Sequence, residues 1–342
     1  MRNDDLLLEV ENLKTYYFLD EGTVRAVDGV DFYIKRGQTL GVVGESGCGK
    51  SVTARSVLRI VPKPGRIVEG KITLHRQTRD ENGGAKTDLL NLTSLDPMGP
   101  IMRSLRGHEM ALVPQEPMAS LSPVHTIGNQ IAEAIILHQK VSKAEARAKT
   151  IDILDRVGFP QPDQRVDSYP HQLSGGLRQR AVIAMALSCH PSLLIADEPT
   201  TALDVTTEAQ ILKLMRSLQQ ELGMAIMYIT HNLGVVAQMT ERVIVMYMGK
   251  VVEEGDVDTI FHNALHPYTA ALLRSIPRLG VKTSAHGRLE TIRGTVPDPY
   301  AIPKGCPFHP RCSKRIRGVC DQQEPKNTEV ERGHKVRCVH YE

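Results

Sequence analysis

Tryptophan is absent from the sequence, and the other aromatic residues are scarce. The 342 residues include 9 Tyr and 5 Phe, so that aromatic residues make up 4% of the chain. This scarcity argues against a surface that stacks on nucleic acid bases. A net charge of +3 is also too small to indicate a nucleic-acid binder. We therefore expect no nucleic acid among the partners.

Long hydrophobic runs are also missing. The longest apolar stretches, Ala181–Leu187 and Val243–Met248, are far shorter than the roughly 18 to 20 residues that cross a bilayer. Residues 1–5 are polar and acidic, and the start of the chain lacks the apolar core of a secretion signal. These absences predict a protein that stays in the cytosol and spans no membrane.

The composition is otherwise that of a soluble globular protein. Hydrophobic residues make up 41% of the chain and charged residues 24%, which is enough apolar material for a packed core. The length indicates two globular units. Four of the 6 cysteines lie beyond residue 305, in a proline-rich segment that we predict to be a separate small module.

Strand and helix patterns alternate along most of the chain. The predicted strands include Thr39–Val43, Leu193–Ala196 and Met224–Thr230, and helical patterns follow each of the first two. This alternation predicts an α/β fold with a parallel sheet that is covered on both faces. A helical segment from about residue 127 to 158 is predicted as an insert, and the polar residues 76–88, with a glycine pair, are predicted as a surface loop.

A glycine-rich motif follows the strand at Thr39–Val43. Its pattern, Gly44-x-x-x-x-Gly49-Lys50-Ser51, is typical of a phosphate-binding loop, in which backbone N–H groups surround the phosphates, the lysine neutralises them and the serine hydroxyl binds Mg²⁺. Strand, loop and helix occur in the required order, and we therefore predict ATP binding here. The residues expected to contact ATP are Gly44, Glu45, Ser46, Gly47, Cys48, Gly49, Lys50 and Ser51.

Two further motifs lie downstream. Asp197 and Glu198 end a buried strand, and we expect Asp197 to act toward Mg²⁺ and Glu198 toward the water that attacks the γ-phosphate. Ser174, Gly175 and Gly176 form a predicted helix start, which can bind an anion because its first N–H groups are uncovered.

In these motifs, the sequence resembles the nucleotide-binding subunit of an ATP-binding cassette (ABC) transporter. The resemblance implies a RecA-like core with an antiparallel β subdomain and a helical subdomain. It covers residues 6–260, and we assign 1–260 to the nucleotide-binding domain, with its helical subdomain at about 115–180. Residues 261–342 are assigned to a C-terminal extension.

The resemblance also assigns roles to single residues. Ser174, Gly175 and Gly176 match the family signature that contacts ATP from a second subunit, and Asp204 matches a loop that crosses to that subunit. Gln115 resembles the family's glutamine that joins the magnesium site to the helical insert. His231 resembles the family's histidine that senses the γ-phosphate. Tyr17, or its neighbour Tyr16, is expected to stack on adenine. The chain has Pro114 where the family more often has an aromatic residue, and Asn232 where it has Asp.

Other stretches resemble the oligopeptide and dipeptide importer branch of this family, and they lie at residues 106–107, 115–123, 198–206 and 266–269. Ser122 stands there in place of the usual Asn. Nickel and oligosaccharides remain possible cargoes, since cargo is chosen by other subunits. A soluble cassette ATPase that acts on DNA or ribosomes is a different class, and a regulatory module that hydrolyses nothing is a third.

The importer resemblance implies several partners. Because one chain carries one phosphate loop and one signature, two cassettes would face each other head to tail, with Lys50 of one and Ser174 of the other on the same ATP. The second ATPase subunit could be identical or different. Two transmembrane permease subunits, and indirectly an external solute-binding protein, would complete the importer at the cytoplasmic face of the membrane.

The intervals between the four clustered cysteines do not match a structural zinc site, which usually has pairs two to four residues apart. They resemble the C-terminal extension of the same importer branch, to which a 4Fe–4S cluster is attributed. We therefore expect such a cluster, with a zinc site or four free thiols as the alternatives. The expected ligands are Cys306, Cys312, Cys320 and Cys338.

Overall fold

The protein is described by a computed structural model that covers residues 5–79, 85–201, 203–275 and 292–342. The strands, in chain order, are β1 (Leu6–Leu19), β2 (Gly22–Lys35), β3 (Thr39–Val43), β4 (Gly65–Arg79), β5 (Ala85–Asn91), β6 (Met110–Val113), β7 (Leu193–Asp197), β8 (Ala225–Thr230), β9 (Arg242–Tyr247), β10 (Lys250–Asp256), β11 (Thr328–Glu331) and β12 (His334–Val336). The α-helices are α1 (Lys50–Val57), α2 (Pro100–Leu105), α3 (Pro117–Ser120), α4 (Ile127–Gln139), α5 (Lys143–Arg156), α6 (Pro162–Arg165), α7 (Gly175–Leu187), α8 (Val205–Leu222), α9 (Leu233–Met239), α10 (Val257–His262) and α11 (Pro267–Arg274).

The larger sheet forms the centre of the fold. Within the described residues its strand order is β11-β12-β10-β9-β3-β8-β7-β6, and the five strands from β9 to β6 run parallel. Every residue of β3, β7, β8 and β9 is buried, as expected for strands that are covered on both faces. The predicted α/β fold is confirmed.

A second, antiparallel sheet has the order β2-β1-β4-β5 in the described part of the chain. Its strands β4 and β5 pair from Thr73 with Asn91 to Arg79 with Ala85. The prediction of a surface loop is therefore wrong for residues 76–79 and 85–88, which form strands. Residues 80–84 of the predicted loop lie outside the described residues. The strands are polar because this edge of the sheet is largely exposed: Leu89 of β5 is 65% exposed.

The predicted helical insert is confirmed as α4 and α5. Their buried residues, among them Ile131, Ile135, Ile153 and Leu154, pack with α7 in one hydrophobic cluster. This cluster also includes residues of β6, β7 and β8, so the insert is anchored to the central sheet. The insert is thereby placed beside the ends of the strands that carry the candidate site.

The end of the chain is joined to the central sheet. β12 pairs with β10, and β11 pairs with β12, so residues 328–336 extend the sheet that begins with the core strands. The ring of Phe308 packs 5.3 Å from the rings of Tyr247 and Tyr268. The sequence patterns did not indicate this connection, and the boundary at residue 260 remains a prediction.

In the four described ranges, none of the helices combines the length and the apolar character that crossing a membrane would require.

Candidate active site

Four of the predicted segments meet at one edge of the central sheet. The glycine-rich loop follows β3, His231 follows β8, Glu198 follows β7 and Gln115 follows β6. These four strands are neighbours and parallel, so their carboxyl ends lie side by side. In open α/β sheets ligands bind in the crevice beyond this edge.

The glycine-rich loop is closely packed against the neighbouring backbone. Gly49 has a φ of 104°, and a Cβ atom there would lie 2.2 Å from the carbonyl oxygen of Ala26. Any other residue would clash at this position, so glycine is required for the turn into α1. Ser46 and Gly47 are exposed, whereas Cys48 is 4% exposed and burial raises the pKa of its thiol. Cys48 therefore offers a ligand its backbone rather than a reactive thiolate.

Lys50 is the charged group of this loop. Its side chain is buried, and Nζ donates hydrogen bonds to the carbonyl oxygens of Gly44 and Glu45 at 2.8 and 3.0 Å. The ammonium group is thus held inside the loop, where it can exchange these neutral acceptors for phosphate oxygens, which form stronger charge-assisted bonds.

Ser51 and Asp197 provide neighbouring oxygen atoms. The Ser51 hydroxyl donates a hydrogen bond to Oδ1 of Asp197 at 2.9 Å. Burial raises the pKa of Asp197, and the adjacent charge of Glu198 raises it further. Mg²⁺ prefers oxygen ligands and retains part of its water shell, so this hydroxyl and carboxylate fit a magnesium site of the kind predicted.

Glu198 lies at the centre of a group of polar side chains. Gln115 donates to Oε2 at 3.2 Å, and His231 Nδ1 lies 3.2 Å from Oε1. Thr201, which the sequence patterns missed, donates to Oε2 at 2.9 Å. Its spacing of three residues after Glu198 could have indicated this contact. The φ of Glu198 is 48°, a strained conformation that is common at functional sites.

His231 is the exposed member of this group. Its side chain is 54% exposed, against 10% for that of Glu198. Asn232 accepts a hydrogen bond from the backbone N–H of Gly234, and so caps α9 as its residue type predicted. The imidazole can therefore reach a bound ligand without disturbing the helix.

The signature residues form the start of α7. Ser174 accepts a hydrogen bond from the backbone N–H of Leu177, which confirms it as the helix N-cap. Ser174 and Gly175 are exposed. A Cβ atom on Gly176 would lie 2.8 Å from Thr207, whose N–H and hydroxyl bond to Asp204. The signature and Asp204 thus belong to one exposed surface.

The two tyrosines of β1 differ in their contacts. The hydroxyl of Tyr16 donates to Asp28 at 2.6 Å, and burial together with this bond raises its pKa to about 12. The ring of Tyr17 lies above Gly65, where a Cβ atom would be 2.6 Å away. Tyr17 has no such hydrogen bond among the described contacts, and the stacking of either tyrosine on adenine stays a prediction.

The predicted 4Fe–4S cluster is wrong. Within the described ranges no group of three or more His, Cys, Asp or Glu side chains is arranged to hold a metal ion, which also counts against a zinc site. The four cysteines line one small cavity as free thiols. Burial raises the pKa of Cys306 to about 11, and it raises the pKa of Cys312 and Cys338 too. A metal cluster binds thiolates, and burial disfavours the thiolate form of Cys306, Cys312 and Cys338.

Comparison with known proteins agrees with this geometry. Residues 27–201 match the family described as ABC transporter, and residues 252–320 match the family described as "Oligopeptide/dipeptide transporter, C-terminal region". This chain belongs to the ABC transporter family. It is an ATP-binding cassette ATPase, and its resemblance to the importer branch is confirmed.

Curated relatives cover almost the whole chain. The oligopeptide transport ATP-binding protein AppD of Bacillus subtilis is 47% identical over 98% of this chain and 97% of its own length. The dipeptide transport ATP-binding protein DppD of Escherichia coli is 43% identical over 98% of this chain and 96% of its own length.

A solved structure shares the cassette fold. The ATP-binding cassette MJ0796, solved as a dimer in a post-hydrolysis state with ADP and Pi bound, matches with a TM-score of 0.62 and 26% identity. The match covers 73% of this chain and 99% of that one. The predicted cassette fold is thereby confirmed.

Proposed function

We propose that this cassette hydrolyses MgATP to drive the import of dipeptides or oligopeptides through separate membrane subunits. The proposal of ATP hydrolysis rests on one observation: Gln115 and His231 each contact one of the two carboxylate oxygens of Glu198. The peptide cargo is supported by the names of the relatives and by the matching C-terminal region.

The geometry supports a division of labour within the site. Lys50 neutralises the phosphates, and Glu198 polarises the attacking water, because it is the carboxylate nearest to both Gln115 and His231. His231, which is exposed beside it, contacts the γ-phosphate. Bound Mg²⁺ would neutralise part of the negative charge of the phosphates. Ser51 and Asp197 would hold it, and Gln115 would connect that site to the helical insert.

A second cassette completes the site in this proposal. The signature surface, with Ser174, Gly175 and Asp204 exposed, also carries Val205, which is 82% exposed. ATP that contacts Lys50 of one cassette and Ser174 of the other would hold the pair closed, and hydrolysis would release it. The second cassette is either a copy of this chain or a companion subunit.

The helical insert offers a surface to the membrane subunits. A cavity of about 900 Å³ lies between residues of the loop after Gln115 and helices α4 and α5. Leu137 on its wall is 65% exposed, and Val124 and Met118 nearby are 73% and 48% exposed. We assign this groove to a segment of a membrane subunit, so the cassette would lie at the cytoplasmic face of the membrane. An external solute-binding protein would act on the same importer indirectly.

Uptake of labelled solutes in cells tests this function. Cells that carry Glu198→Gln should lose uptake of labelled dipeptides and oligopeptides, while cells that carry Glu221→Gln, a surface control, should keep it. Equal peptide uptake in the two strains would overturn the proposal. Selective loss of labelled nickel or oligosaccharide uptake would assign another cargo, and loss of none of these would favour a cassette that acts on DNA or ribosomes.

A further inference from the structure

The C-terminal extension contacts the phosphate loop directly. The guanidinium group of Arg311 pairs with the carboxylate of Glu45 through two bonds, from Nη1 to Oε2 at 2.6 Å and from Nη2 to Oε1 at 3.0 Å. Glu45 is the second residue of the loop, and Arg311 lies beyond Cys306 in the extension. This two-bond geometry is the strongest form of side-chain ion pair.

The same extension holds the backbone of Glu45. Its N–H donates a hydrogen bond of 2.8 Å to the hydroxyl of Tyr268 in α11, while its carbonyl oxygen accepts from Lys50. The side chain and the backbone of one loop residue are therefore both fixed by residues that follow the core strands. These contacts lie in the same loop as Lys50.

Arg311 is itself firmly held. Its side chain is 4% exposed, and Nε donates to the carbonyl oxygen of Arg293 at 3.2 Å. Nη1 also lies 3.4 Å from the hydroxyl of Tyr247, and the ring of Phe308 is beside the guanidinium group. A buried, multiply bonded arginine loses little further freedom when it pairs with Glu45, in contrast to a pair between mobile surface side chains.

The charge of Glu45 gives this contact a consequence for nucleotide binding. An unpaired carboxylate in the phosphate loop would repel the polyanion that the loop is built to hold. Arg311 neutralises that carboxylate and restricts the rotation of the Glu45 side chain. We propose that Arg311 is a positioning residue, which acts through Glu45 to keep the phosphate loop competent for ATP. This inference rests on the proposed assignment of residues 44–51 to the phosphates of ATP.

Substitutions in the full-length protein test the proposal by nucleotide affinity and turnover. Arg311→Met should raise the KM for MgATP about tenfold, the scale of one charge-assisted contact, and change kcat by less than about twofold. Arg311→Lys keeps the charge but loses the two-bond geometry, so its KM for MgATP should lie between those of the wild type and Arg311→Met. Arg315→Met, an exposed arginine four residues later, is the matched control and should behave as the wild type.

A double variant separates positioning from a general loss of structure. Adding Glu45→Gln to Arg311→Met removes the unpaired carboxylate and should restore KM to within about threefold of the wild type. A KM that is unchanged in Arg311→Met, or a raised KM that Glu45→Gln does not relieve, would overturn the proposal. If Arg311→Met fails to fold by circular dichroism, Arg311→Lys takes its place in the cycle: its KM should be raised, and adding Glu45→Gln should lower it again. ATP binding that survives Lys50→Ala would instead contradict the assignment of the loop itself.

Discussion

The hydroxyl of Ser51 donates a hydrogen bond to Asp197, and this contact joins the first turn of α1 to the end of β7. It brings together two residues that are far apart in sequence, one from the phosphate loop and one from the carboxylate pair. Burial raises the pKa of Asp197, so the ionised form that Mg²⁺ requires is held at an energetic cost. That cost is tolerable at a binding site, where a cation compensates it.

Asp197→Asn should weaken Mg²⁺-dependent ATP binding by about 10- to 100-fold, the usual effect of removing a group that orients metal-bound water. The same change should stabilise the nucleotide-free protein near neutral pH. Titration calorimetry with MgATP and thermal unfolding without nucleotide measure the two effects.

The pH dependence of that stabilisation follows from the direction of the pKa shift. Because the pKa of Asp197 in the folded protein lies above its ordinary value of 3.8, the folded state binds this proton more tightly than the unfolded state. The cost of ionisation is fully present above the folded pKa, and it disappears as pH falls toward the unfolded value. The stability gain of Asp197→Asn should therefore shrink as pH is lowered from neutral toward 3.8. A gain that grows toward low pH would contradict the assigned shift.

Glu198→Gln should retain ATP binding and lose turnover by a factor of about 10² to 10⁴, the usual contribution of a general base. The amide can still accept from Thr201 and Gln115, so the surrounding structure should be preserved. Steady-state hydrolysis and equilibrium nucleotide binding measure the two properties. Glu221→Gln provides the surface control, and hydrolysis at the wild-type rate in Glu198→Gln would show that another group polarises the water.

Cysteine crosslinking can test the closed pair of cassettes. We expect a Ser46→Cys cassette and a Ser174→Cys cassette, both exposed positions, to crosslink when ATP is bound in a Glu198→Gln background. ADP should give at least about tenfold less crosslinked product, because hydrolysis removes the contacts that span the interface. The measurement uses two copies of this chain and, in parallel, this chain with its companion cassette. Crosslinking that is equal with ATP, ADP and no nucleotide would exclude ATP as the link.

Much of the site's geometry could be anticipated, because strand ends are readable in the sequence. Gln115, Glu198 and His231 each follow a buried run, and the carboxyl ends of neighbouring parallel strands meet. The contact between Arg311 and Glu45 could not be anticipated, since it joins segments 266 residues apart and depends on how the extension packs. The strands β4 and β5 were missed for a related reason: their exposed edge has no apolar alternation from which a strand could be predicted.

The groove on the helical insert gives a prediction about membrane association. Leu137→Asp should lower retention of the cassette by its membrane subunits at least about tenfold, because a buried unpaired carboxylate costs far more than a lost apolar contact. Hydrolysis by the isolated protein should be unchanged, since Leu137 is exposed on α4 and the described side-chain partners of Glu198 are Gln115, Thr201 and His231. Leu89→Asp is a closely matched control: both leucines are 65% exposed, but Leu89 lies on the edge strand of the antiparallel sheet. Copurification from membranes measures retention. If the two variants were retained equally well, the groove would have no part in docking, and the link from Gln115 to the membrane subunits would have to run over another surface.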